Sequence, residues 1–179
     1  MSAQPDRFAP SLRVLHWLMA VLIVAMLGVG LVMTSSLTLR PLLLDIHRPL
    51  GVAILLLALL LLGLRLTQAT PPLPASLPRW QVWAAQASHV ALYALMLALP
   101  LLGWAMLSAG GMPVQLWPGT LLPALVAPSL ALYSLLHQIH QLGAWALAAL
   151  VLGHIGAALL HAWVHRDGVW QAMAGGKRR

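Results

Sequence analysis

An all-α membrane protein, built as a four-transmembrane-helix bundle, is the fold class this sequence predicts, and three observations predict it. Hydrophobic residues make up 61% of the 179-residue chain and charged residues 7%, with a mean hydropathy of +0.88; an ordinary soluble domain carries about 25% charge. Four apolar stretches, at about 12–34, 45–66, 83–107 and 136–165, each reach the roughly 20 residues that a helix needs to cross a bilayer. The basic residues stand at the ends of those stretches rather than inside them, as in a chain oriented by its charges.

The length is that of one domain, and residues 1–179 read as a single unit without an internal repeat or a soluble domain. A net charge of +7 spread as a stripe would point to nucleic acid; here it flanks apolar runs, so the expected partner is the lipid bilayer and no nucleic acid. The chain has no cysteine, which excludes disulfides, thiolate-held iron–sulfur clusters and covalent c-type haem attachment. Glutamate is absent, and aspartate occurs only at positions 6, 45 and 167. A site built from carboxylates is thereby excluded, and histidine is the one ligand type present in quantity.

The first stretch follows a short polar lead with Arg7, and Arg13 stands at its edge. Its run from Val14 to Met33 exceeds the roughly 7–15-residue core of a signal peptide, so a retained first span is expected. His16 and Trp17 lie at its start, where tryptophan suits the interface. The second helix is expected to open with Asp45 as N-cap and Pro49 tolerated in the first turn, and it carries His47, Arg48 and Gly51. Residues 67–79, TQATPPLPASLPR, are a proline-rich loop.

The third helix has His89 and Tyr93 one turn apart near its start and contains Pro100, which is expected to kink it or end it early. Gly-Gly-Met-Pro and Trp-Pro-Gly mark turns after it. Residues 121–136, broken by Pro123 and Pro128, read as an interfacial or re-entrant segment, too short to span. The fourth helix carries five histidines between Leu136 and His165, and Arg166, Asp167 and a basic Lys177-Arg178-Arg179 tail follow it.

Counting bases gives the orientation. Arg7, Arg13, Arg65, Arg79, Arg166, Lys177, Arg178 and Arg179 flank one side, and only Arg40 and Arg48 the other. Eight against two predicts both termini in the cytoplasm. His16 and His154 then lie toward the cytoplasmic face, and His47 and His140 toward the outer face.

The histidine spacing carries the chemistry. His140 and His154 are fourteen residues apart, which returns to within about 40° of one helix face about 21 Å further along. His161 stays within about 20° of His154, whereas His137 falls about 100° off that face. His16 therefore pairs with His154, and His47 with His140, each from two different helices. Neutral imidazole is a good metal ligand, and a flat b-type haem takes two of them on opposite sides of its iron. Gly51, Gly143, Gly153 and Gly156 are expected to give the cleft its small positions. His137 and His165 read as ordinary boundary histidines. His89 stays open between a packed, hydrogen-bonded role and a functional one. The eight tryptophans read as belt residues.

At Arg13-Val14-Leu15-His16-Trp17-Leu18, Ile46-His47 followed by Gly51, His89-Val90-Ala91-Leu92-Tyr93 leading into Ala98-Leu99-Pro100, and His140 fourteen residues before His154, the chain resembles the bacterial cytochrome b561 family. The likeness covers nearly the whole chain; it departs between Gly110 and Leu136, where this loop is more apolar and less charged. The resemblance implies two b haems ligated by His16, His47, His140 and His154, and quinone contact near His161. It also implies a multi-pass protein of the bacterial inner membrane that moves electrons to or from the quinone pool. In one form of that activity superoxide is oxidised at the outer face and ubiquinone is reduced. Arg40 and Arg48 would then steer the small anion to the outer haem, Arg48 most directly because it follows His47. Two other readings stand beside it: a non-catalytic diheme anchor passing electrons for a dehydrogenase or hydrogenase partner, and a metal-ion transporter using histidines alone. The lack of intramembrane carboxylates argues against the transporter.

Overall fold

The computed structural model describes residues 5–175; Lys177, Arg178 and Arg179, counted above for orientation, lie outside them. Four helices long and apolar enough to cross a membrane make up most of the chain: α1 (Pro10–Ser35), α2 (Arg40–Thr67), α3 (Arg79–Ala109) and α4 (Leu130–Leu160). Between α3 and α4 lies a small antiparallel hairpin of β1 (Val114–Trp117) and β2 (Thr120–Leu122). A π-helical turn over His161–His165 continues α4, and a short α5 (Val169–Ala174) closes the described chain.

All four helices begin earlier than the stretches expected from the sequence, α2, α3 and α4 by about a turn or more. α2 opens at Arg40 with Pro41 in its first turn, so Asp45 is not its N-cap but an exposed interior residue. Proline with its preset φ starts the helix there. Pro49 is correspondingly interior, and the helix continues past it even though the Asp45 carbonyl loses its usual partner. α3 likewise runs through Pro100 to Ala109 without ending early.

The 121–136 stretch is not one re-entrant segment. Its first residues are β2, Pro123 and Pro128 confine the irregular part, and α4 starts at Leu130. Ser129 caps α4, its hydroxyl accepting the Leu132 N–H at 3.3 Å. The hairpin turns on Pro118-Gly119, with Gly119 at φ 85°, the proline-then-glycine pattern of a type II turn. β1 packs against α2 and α3, and Val114 is buried. The loop after β2 is tied to the end of α3: Trp104 Nε1 donates to the Pro123 carbonyl at 2.9 Å, and buried Ser108 accepts the Leu125 N–H at 3.1 Å.

The core is apolar and sits mainly between α1 and α2. Leu12, Leu15, Met19 and Ile23 meet Ile54, Ala58 and Leu61, with Leu99 of α3 and Leu147 of α4 completing the cluster. α1 packs on α2, α2 on α3, and α3 on α4, but α4 makes little close backbone contact with α1 or α2. α4 thus closes the bundle through its pairing with α3 and faces α1 and α2 across a cleft. α5 folds back under the start of α1: the Phe8 N–H donates to the Ala172 carbonyl, and Arg13 donates to the Met173 and Ala174 carbonyls at 3.0 and 3.2 Å. Those last carbonyls have no partner within their own helix, and the guanidinium satisfies them.

Candidate functional site

Side chains that span the cleft are histidines. At the end closed by α5, His16 of α1 faces His154 of α4, with ring centres 6.2 Å apart and planes inclined by 59°. At the end covered by the hairpin, His47 of α2 faces His140 of α4, with ring centres 6.3 Å apart and planes inclined by 65°. The two pairs come from different helices and have the same separation to within a tenth of an ångström. Metal–imidazole bonds of about 2 Å, with roughly 1 Å more to each ring centre, put two rings on opposite sides of one ion about 6 Å apart. Both pairs have that spacing. Among the described residues no three His, Asp or Glu side chains converge as a metal site.

A model of the family described as prokaryotic cytochrome b561 matches residues 7–176. The chain belongs to that family. It is 26% identical to cytochrome b561 homolog 2 of Escherichia coli K12 over 178 residues, covering 96% of this chain and 93% of that protein. It is 36% identical to cytochrome b561 homolog 1 of the same organism over 99 residues, 54% of this chain and 52% of the relative. As a prokaryotic cytochrome b561 it is a multi-pass protein of the bacterial inner membrane, binds haem b and carries electrons across the bilayer.

The surroundings of the histidines fit such a group. Nδ1 of His47 and Nδ1 of His140 are both buried without a hydrogen-bond partner. Buried polar atoms are ordinarily paired, and two orphaned ring nitrogens on facing rings fit a group bound between them. Bare backbone lies beside both rings of this pair. A Cβ on Gly103 would stand 3.3 Å from His140 Cε1, and one on Gly30 would stand 4.0 Å from His47 Cε1. Of the glycines expected from the sequence, Gly143 is the close-approach point of α3 and α4, since a Cβ there would strike Leu99 at 2.8 Å; Gly51 lies by Met26, and Gly153 and Gly156 border open space. Gly103 and Gly30, which approach the rings from neighbouring helices, were not singled out in the sequence.

His89 joins the pair of His16 and His154. Its ring lies 5.3 Å from that of His154 at 80°, and its Nδ1 donates to the Ala85 carbonyl at 2.7 Å. A carbonyl only accepts, so this bond puts the proton on Nδ1. At 5.3 Å the ring is too close to stand opposite His154 across an ion; it is an edge-on neighbour. His16 is flanked on its other side by Trp17, which meets Trp170 of α5 at 5.8 Å. His137 stays outside both pairs, its ring 6.0 Å from Tyr133.

Two further side chains stand at the ends. Arg48, beside His47, pairs loosely with Asp45 at 3.7 Å; its side chain is 17% exposed, and its Nε is buried without a partner. His161, beyond the pair of His16 and His154, holds Asp167 at 2.6 Å through Nδ1, and both side chains are largely covered. That carboxylate was not evident from the sequence as part of any site.

Proposed function

We propose that this chain passes electrons through two b haems, one held by His16 and His154 and one by His47 and His140, to a quinone at the His161 end, with both termini in the cytoplasm. The observation that carries it is the equal, ion-spanning separation of the two pairs at opposite ends of one cleft. Bound b haem supplies a one-electron iron couple at each level. The four histidines fix the two levels along α4, about 21 Å apart by helical rise. Gly103 lies close beside the His140 ring, and Trp17, itself against Trp170, meets the His16 ring edge-on. Burial and such neighbours are the protein's levers on the potential of the iron.

Superoxide is the proposed outer donor, attracted by Arg40 and Arg48, since the loop between α3 and α4 contains no charged residue to help or hinder it. The burial of Arg48 and its contact with Asp45 favour a second role for it, as an internal partner for an acidic group of the haem beside His47.

The whole protein in nanodiscs, assayed by pyridine haemochrome, should contain two b haems per chain, low-spin in both oxidation states. One haem per chain, or a high-spin signal, overturns the two-pair assignment. The transporter reading would give a colourless protein.

A further inference from the structure

Asp167 is one of three carboxylates in the chain, and it is spent on a histidine at the end of the longest span. Its Oδ2 takes Nδ1 of His161 at 2.6 Å, and its Oδ1 accepts the Val169 N–H at 3.2 Å, so both oxygens are held. The side chains are 17% and 13% exposed, shielded from water but within its reach. The π-helical turn creates the contact. On a regular helix six residues put two side chains about 120° apart; here the wider turn over His161–His165 and the left-handed Arg166 (φ 50°) bring Asp167 back beneath His161. The same turn brings the His165 ring to 5.1 Å from His161. A π turn interrupts the regular hydrogen-bond pattern and is frequent at functional sites. Nε2 of His161 has no hydrogen-bond partner among the described residues.

We infer that His161 and Asp167 form a proton-delivering dyad for quinone reduction at the inner end of the bundle, with His161 the catalytic acid and Asp167 its positioning residue. The inference rests on the reading that quinone is reduced there. With both ring nitrogens protonated, Nδ1–H is held by Asp167 and Nε2–H is donated to one carbonyl oxygen of the quinone. As two electrons arrive in turn from the haem path, the Nε2–H bond breaks and an O–H bond forms on that oxygen. The ring, still carrying Nδ1–H, then accepts from the new hydroxyl through Nε2 and is reprotonated from cytoplasmic water. The second carbonyl oxygen takes its proton directly from water, so one quinone, two electrons and two protons give one quinol. Asp167 keeps the ring in the one orientation and tautomer that presents Nε2 throughout, as the carboxylate of a catalytic triad does for its histidine.

The test uses full-length protein in nanodiscs, with a short-chain ubiquinone as the probe. Asp167→Asn keeps an oxygen for the Val169 N–H but turns an amide donor toward Nδ1. Quinone affinity and haem spectra should stay within about twofold of wild type, while kcat for quinone-dependent haem reoxidation falls about 10- to 100-fold, less than the roughly 10²–10⁴-fold of a general acid lost outright, because His161 itself remains. The solvent deuterium isotope effect on kcat should rise in that variant, and Asp167→Glu should recover most of the rate. A rate within twofold of wild type with an unchanged isotope effect overturns the dyad, as does equal loss in the Asn and Glu variants. If His161→Ala leaves quinone affinity untouched, the quinone lies elsewhere; that overturns the underlying reading and the dyad with it, and affinity rather than rate tells this failure apart.

Discussion

Gly103 gives the outer histidine pair its most exposed weakness. A methyl there would stand 3.3 Å from His140 Cε1, inside the roughly 3.5–4.0 Å at which carbon atoms rest. The ring would have to give way by a few tenths of an ångström. His47 already stands at the spacing two rings take around one ion, so the displacement would fall on the bonds by which the pair would hold its iron. Overpacking of this kind costs about 1–3 kcal/mol, which is about a 5- to 150-fold loss of affinity for the haem proposed there. Gly103→Ala should keep two haems per chain but shift the potential of the outer one and lose it first to a haem-scavenging protein. Gly103→Leu should retain a single haem, the one between His16 and His154, with its spectrum unchanged. Gly63→Ala is the control, because a Cβ there meets nothing within 4 Å and the residue stands about 160° around α2 from His47. The assay is the haem-to-protein ratio with a redox titration on each variant. Two haems of unaltered potential in Gly103→Leu would refute the placement of a haem between His47 and His140.

Two substitutions on α4 separate neighbours in sequence: His140→Ala should lose one haem, and His137→Ala should keep both, since the His137 ring rests on Tyr133; haem content of the purified variants decides it. His89→Ala should likewise keep both haems, while shifting the potential or absorption of the inner one, because its ring flanks His154 without standing opposite it. If superoxide is steered to the outer end, Arg48→Gln should lower its second-order rate of haem reduction by less than about tenfold and flatten the salt dependence, read by stopped flow at three ionic strengths. A shifted potential with unchanged salt dependence would mark Arg48 as an internal partner instead.

What could be read in the residues was what repeats with the helix. The four spans and the common face of His140, His154 and His161 follow from long apolar runs and a rise and turn that a bilayer leaves nearly ideal. Helix starts were harder to read. In a membrane chain the apolar composition hardly changes at a boundary, so Asp45 looked like a cap while Pro41 had already opened the helix. The hairpin was marked only by its Pro118-Gly119 turn, since strands of four and three residues are too short to show alternation. His89 reaches His154 from another helix, which no spacing within one stretch reveals. The His161–Asp167 contact was the least visible, because regular helical geometry puts those residues on different faces and only the π turn reunites them.

The distribution of charge fits a chain that moves electrons across the bilayer and takes protons from one side of it. Asp45 stands with Arg40 and Arg48 near the start of α2, and Asp167 stands beyond the last turn of α4, with no carboxylate in between to form a proton path through the apolar interior. Between the two histidine pairs the spans contain no Asp, Glu, Lys or Arg, so the interior is without the carboxylates from which proton relays are commonly built. α4 contributes to every stage of that route: His140 to the outer pair, His154 to the inner pair, and His161 two turns further on. It is also the helix that packs closely on α3 alone. One helix therefore sets the depth of both ligand levels and of the proton-handling end, while α1 and α2 each supply one facing histidine from a separately packed wall. In the proposed orientation the protons consumed come from the cytoplasm and the electrons from outside. Each turnover would then move negative charge inward and take up positive charge on that same inner side, and the span between His140 and His154 is the part of the chain across which the electron's charge is carried.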